Sequence, residues 1–273
     1  MFKKLSVVTT VYNGEQYFDR AIPSILNQTY SDFEWIIVDD GSTDATPQLL
    51  AEVAKKDARV KVLSPGRLGF TKALNYAIAN TQTEYIARQD FDDTSCPERL
   101  RLQVEFLDAH PQVGVVGCNY IVEDENRKER YVRMPATEHD QLIKTMAKCV
   151  PFAHTLVAFR KQALLQARGY PDVEDLEDLR LWITFAKYGW LLASIPETLG
   201  THWVHPKSFW HRNFEYSYRQ KQLAGVQWQA IQELNLPLWM GIYPLGRYVY
   251  CYLPKDLKSF LRRVLAGSKE KEL

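Results

Sequence analysis

Short apolar runs alternate along the chain with segments whose apolar residues recur every three to four positions. Residues 5–12, 33–38, 60–63 and 84–89 are β-branched or aromatic runs bounded by turn residues, which predicts buried strands. Between them, Tyr17, Phe18, Ile22, Ile25 and Leu26 share one helical face, with Asn13 as the expected cap. Further helices are predicted over about 45–56, 70–80 and 97–110, and another strand over 113–117. Strand and helix alternate four times in about the first ninety residues, so the expected fold is α/β with a doubly wound, mostly parallel sheet. Beyond that the regularity decays. The charged segment 120–133 predicts a hairpin or an excursion at the sheet edge.

Composition narrows the partners. The 273 residues are 46% hydrophobic and 25% charged, with a formal charge of +1, so no global field points to nucleic acid. Cys96, Cys118, Cys149 and Cys251 form no metal-binding spacing and are expected to be buried thiols in a reducing compartment. The first apolar run stops at Asn13 and no stretch is long enough to span a bilayer, which predicts a cytoplasmic protein. From residue 210 onward, ten basic residues face five acidic ones, interleaved with aromatic clusters at 238–243 and 248–253. That composition suits an anionic membrane surface, or else aromatics packed on the main domain with solvated lysines.

Asp90, Asp92 and Asp93 crowd the carboxyl end of a predicted strand, where open α/β sheets place ligands. Such a cluster can hold a hard divalent cation carrying phosphates, or can simply cap the helix that follows. Four strand ends, at 10–12, 39–40, 63–64 and 90–93, are expected to converge on one sheet edge, a place that suits a nucleotide. The chain has no GxGxxG after the first strand and no GxxxxGK[ST], so dinucleotide-binding and P-loop readings are disfavoured.

The segments VVTTVYNGE at 7–15, IIVDDGSTD at 36–44 and YIARQDFDD at 85–93 resemble the signature segments of family 2 glycosyltransferases, which have the GT-A fold. The resemblance continues through PERL at 97–100, Gly169-Tyr170, EDLRLW at 177–182 and VHPKS at 204–208, and so covers roughly the first 210 residues. It implies a glycosyltransferase domain over 1–209 and a helical, basic-aromatic extension over 210–273. Carried over, it implies that Thr10, Tyr12 and Asp40 hold the nucleobase, with Tyr12 against its face and Asp40 accepting from its N–H. Asp90 would lie toward the ribose, and Asp92 toward a divalent metal, Mn2+ or Mg2+, on the diphosphate. His205 would assist that metal, Asp93 would be structural, and Asp178 would be the general base. Glu177 and His154 would line the acceptor side.

Several of these residues have plainer readings: Asp178 as a helix-face carboxylate, His205 as a surface imidazole, Glu15 as a first-turn carboxylate and Lys72 as a solvated lysine. Two positions depart from the family pattern. Arg180 stands where Asp is usual and is expected to weaken the base by lowering its pKa. Arg67 stands where Asn is common and is expected to offer a cation to phosphate. The reaction implied is a single in-line displacement with inversion, from a nucleotide sugar, uridine being the expected base, to a saccharide or lipid-linked saccharide hydroxyl. A degenerate nucleotide-sugar-binding scaffold, suggested by Arg180, and a phosphoacceptor receiver-like module are the readings from other classes.

Overall fold

The structure, a computed structural model, describes residues 3–173, 175–206, 216–254 and 257–258. The residues expected to form the distal basic tail, and Glu174, fall largely or wholly outside these.

Strands β1 (Leu5–Val11), β2 (Phe33–Asp39), β3 (Val60–Leu63) and β4 (Tyr85–Arg88) form a parallel set in the order β3-β2-β1-β4. Their carboxyl ends therefore meet at one edge, as the alternation predicts. Both faces of these strands are covered, which is why they read as continuous apolar runs. Leu5, Val7, Phe33, Trp35 and Ile37 join one core with helices α1 (Phe18–Leu26), α2 (Thr46–Lys56) and α4 (Arg99–Ala109). Val8, Ile36 and Val38, pointing the other way, join a second core with α3 (Phe70–Ala79). The period of two along each strand sorts its residues between these cores.

The second half of the sheet is mixed. It comprises β5 (Thr94–Ser95), β6 (Val113–Asp124), β7 (Glu129–Arg133), β8 (Ala158–Arg160) and β9 (Leu191–Val204). The order continues β4-β8-β6-β9-β5, with β7 paired to β6. β8 runs antiparallel to both β4 and β6, whereas β6 and β9 are parallel. The segment 120–133 is a hairpin, but its first strand extends the predicted 113–117 run and lies inside the sheet between β8 and β9, not at its edge.

Helices α5 (His139–Met146), α6 (Lys161–Gln166) and α7 (Glu177–Lys187) pack on the second core. Near the carboxyl end come α8 (Tyr216–Glu233) and α9 (Ile242–Tyr252), with Val226 and Ala230 of α8 in that same core. No helix among the described residues is long and apolar enough to cross a membrane. All four cysteines are free; Cys118 is buried, and the other three are half-buried rather than buried as expected.

Candidate active site

The ends of β1 and β2 are joined by side-chain to backbone hydrogen bonds. Asn13 does not cap α1. It adopts a left-handed φ of 54°, and its Oδ1 accepts the N–H of Thr43 at 2.8 Å. Glu15 accepts the Ala45 N–H at 2.9 Å, so it ties the loop after β2 to the loop after β1. Thr10 sits opposite Val38 in the β1–β2 register. Asp40 is buried and held by three donors. Its carboxylate takes the N–H of Leu68 at 2.6 Å, that of Gly69 at 3.2 Å and Nη1 of Arg67 at 2.7 Å. Gly69 makes this possible with φ of 89°, a backbone conformation that favours glycine.

The Arg67 guanidinium lies 3.8 Å from the centre of the Tyr12 ring and bonds Asp40, which ties it to the residues expected to hold the base. Lys72 is exposed and pairs at 3.4 Å with Asp172, in keeping with a solvated lysine.

The acidic loop after β4 is held from three sides. Asp90 is bound by the buried guanidinium of Arg88, and its backbone N–H donates to Thr155 Oγ1 at 2.9 Å. Burial raises the Asp90 pKa, against the pull of Arg88. Asp92 Oδ2 lies 3.0 Å from Nε2 of His205, which is buried and also meets the Tyr17 hydroxyl at 3.2 Å. His205 is therefore not the surface imidazole of the plainer reading. Asp93 accepts the Trp203 N–H at 2.7 Å and faces His202 at 3.1 Å, which fastens the loop to β9. Burial alone would depress His202, but the Asp93 carboxylate overrides it and pushes the imidazole up to about 9.

α7 begins directly after Leu176, which is held at φ of 53°, a strained value for a bulky residue. Fully buried Trp182, one turn into the helix from Asp178, anchors it against Phe152 and Phe159, with Phe185 of the same helix beside it. Glu177 and Asp178 are thereby fixed at the amino end of α7, facing inward. Burial raises the pKa of both carboxyls, with the neighbouring Asp178 adding to Glu177 and Asp90 adding to Asp178. The Leu179 N–H, 2.7 Å from Asp178 Oδ1, opposes the shift without cancelling it. His154 bridges this pair to Tyr170. Its Nε2 is 2.7 Å from the Tyr170 hydroxyl and its Nδ1 3.5 Å from Glu177. Burial, reinforced by Arg88, keeps its pKa well below the usual range, so the imidazole is neutral near pH 7.

Arg180 does not weaken the candidate base. Its Nη1 donates to Gln229 of α8 at 3.0 Å, and Asp178's pKa is raised rather than lowered. The cation expected to disturb the base instead links α7 to α8.

A cavity of about 380 Å³ is lined by Asp90, Asp92, Asp93, His154, Glu177 and Asp178, with Tyr131 and Arg133 of the β6–β7 hairpin on its wall. Thr10, Tyr12 and Asp40 are not in this lining; they form a separate group at the ends of β1 and β2. Asp92, with His205 bound to it, stands at the margin of the cavity. Three residues went unremarked as functional in the sequence. Arg88 is detectable as a cation inside an apolar strand and Tyr170 lies in a segment that carries the family resemblance, but His202 has no local signal.

No group of three His, Cys, Asp or Glu side chains among the described residues could hold a metal ion unaided. The Asp92–His205 pair does fit a cation that takes its remaining ligands from a diphosphate and water, since Mg2+ and similar ions are commonly bound by one or two protein groups plus phosphates.

The sequence matches the model of glycosyl transferase family 2 over residues 6–168, and the chain belongs to that family. The match ends before Asp178. The chain is 32% identical to the glycosyltransferase EpsE of Bacillus subtilis, over 92% of this chain and 90% of EpsE. It is 36% identical to the O-antigen biosynthesis glycosyltransferase WbnJ of Escherichia coli, over 66% of this chain and 70% of WbnJ. Among solved structures, the mannosyltransferase PcManGT of Pyrobaculum calidifontis, in complex with GDP-Man and Mn2+, superposes with a TM-score of 0.68 at 19% identity, over 99% of this chain and 82% of that one. S. aureus TarS in complex with UDP-GlcNAc gives 0.65 at 17% identity, over 94% and 83%. These likenesses establish the GT-A glycosyltransferase fold. The chain is thus a family 2 glycosyltransferase by sequence and by fold.

Proposed function

We propose that the chain moves a hexosyl group from a uridine diphosphate sugar to a saccharide hydroxyl, with inversion, during assembly of a cell-surface polysaccharide or glycolipid. The observation that carries this reading is the convergence of the acidic loop after β4 and the amino end of α7 on one cavity. Donor and acceptor would meet there with the candidate base between them.

Asp178 takes the proton of the acceptor hydroxyl as its oxygen bonds to the anomeric carbon. The bond from that carbon to the β-phosphate oxygen breaks, and the nucleoside diphosphate leaves with the electron pair. A buried carboxylate with a raised pKa is a stronger base than one in water, and fixed placement beside the hydroxyl adds the orientation term. Neutral His154, held by Tyr170, supports the acceptor side beside Glu177. Thr10, Tyr12 and Asp40 hold the base, with Arg67 shared between Tyr12 and Asp40. Asp90 lies toward the ribose. Asp92 and His205 would hold Mn2+ or Mg2+, which supplies charge neutralisation at the diphosphate when bound. A neighbour in fold was solved with Mn2+. Four free cysteines favour a reducing, cytoplasmic setting.

Uridine rests on Asp40 as acceptor for an imide N–H and on the UDP-GlcNAc complex of TarS. Calorimetric titration with UDP, GDP and other nucleoside diphosphates, with Mn2+ or Mg2+ and then with chelator, tests the donor side. Metal-dependent binding of UDP alone is the expected result; preference for GDP would overturn the base assignment. Failure of every nucleotide to bind folded protein would remove the enzyme reading. The anomeric configuration of the product, read by NMR, tests inversion.

A further inference from the structure

α9 is built inside out. Its outward stripe is Ile242, Leu245, Tyr248, Val249 and Tyr252, without a single charged residue, while its one cation, Arg247, turns inward to Gln220, Gln227 and the Lys148 carbonyl. The stripe follows helical spacing, and Ile242, Leu245 and Tyr252 are each at least 60% exposed. The turn before the helix extends it with Leu238, 80% exposed, and Trp239, 66% exposed. A contiguous apolar face of this kind marks a surface that is covered when the protein works.

Charge identifies the cover. The rim of the face carries Lys148, Lys221 and Lys258, whose ammonium groups lie 5.1, 4.6 and 5.7 Å from the ring centres of Tyr243, Tyr252 and Tyr250. The single carboxylate in residues 216–254 is Glu233, which pairs with Lys187 at 3.2 Å. An apolar stripe, a Trp and several Tyr at its border, and uncompensated lysines are what an interfacial helix presents to an anionic bilayer.

We propose that α9 and the turn before it dock on the surface of an anionic lipid bilayer, with the apolar stripe in the acyl boundary and the lysines among the headgroups. The face reaches the cavity through a short path: Lys148, which touches both Tyr243 and Arg247, is two residues from cavity-lining Val150. If the transferase reading above holds, docking brings the acceptor side of the cavity close to the membrane and selects lipid-linked saccharides as acceptors. The docking itself does not depend on that reading.

The test is co-sedimentation of the full chain with vesicles of phosphatidylcholine, alone and mixed with phosphatidylglycerol, at low and high salt. Binding to the mixed vesicles, weakened by salt, is expected. The double variant Ile242→Ser/Leu245→Ser should lower the partition coefficient about tenfold or more, and Lys221→Gln/Lys258→Gln about tenfold. Ile242, Leu245 and Lys221 lie on the surface and Lys258 is half-buried against the Cys251 carbonyl, so UDP titration and thermal melting of each variant, unchanged from wild type, separate lost docking from lost folding. Absence of binding to anionic vesicles would overturn the proposal, as would equal binding by the serine variant. A concentration-dependent dimer in light scattering that the serine variant dissolves, without vesicle binding, would assign the face to a second copy instead.

Discussion

The carboxylate after β2 and those at the start of α7 are supplied with hydrogen-bond donors in opposite ways. Asp40 is surrounded by donors: two backbone N–H groups and a guanidinium. Glu177 and Asp178 line the cavity with few donors, and desolvation raises their pKa values. A carboxylate supplied with donors on both oxygens is fixed in place and can position a ligand. One that is buried and poorly supplied is held near its protonated form and can exchange a proton. Family membership says nothing about this contrast, since the family match stops at residue 168. The proposed division between binding and proton transfer rests on hydrogen-bond supply.

The comparison breaks most sharply at Asp178. Asp178→Asn should lower kcat by about 10²- to 10⁴-fold, the usual range for a general base, while UDP affinity stays within about twofold. Next comes the anchor of that half. Trp182→Ala should cost about 3–5 kcal/mol of stability, measured by urea unfolding, because its ring is fully buried beneath the start of α7. On the donor side, Asp92→Ala should lose the gain in UDP affinity that metal provides; identical calorimetric affinity with and without metal in the wild type would remove Asp92 and His205 as ligands.

A smaller effect concerns pH and stability. Because burial raises the Glu177 pKa above its unfolded value, its favourable contribution is full below the unfolded pKa and is lost as pH rises through the folded pKa. Glu177→Gln should therefore raise Tm relative to wild type on the alkaline side, and the gain should vanish in acid. Smallest is Arg67→Ala. It frees the Tyr12 face and one Asp40 oxygen, and calorimetry should register a change of a few-fold in UDP affinity without loss of kcat.

The parallel half was legible in the sequence because its signals are local. Apolar runs of four to eight residues ending in Asp40 or Asp90 give strand, edge and site together. The mixed half was not, because its elements are defined by partners far along the chain. β8 is three residues long and is specified only by its antiparallel pairing to β4 and β6. The same holds for side chains. Asp178 could be located through the family pattern, but its raised pKa depends on desolvation at a cavity whose lining comes from distant parts of the chain. Arg67 and Arg180 show the same limit: a sequence position gives a charge but not the direction in which a long side chain points.

The pH dependence of single-turnover transfer, in the wild type and in Asp178→Asn, tests the division of labour most directly. The account predicts a wild-type rate that rises with pH through a limb above the ordinary aspartate range, and a residual rate in Asp178→Asn that lacks this limb. The same limb persisting in Asp178→Asn would assign the proton transfer to another group and contradict the account.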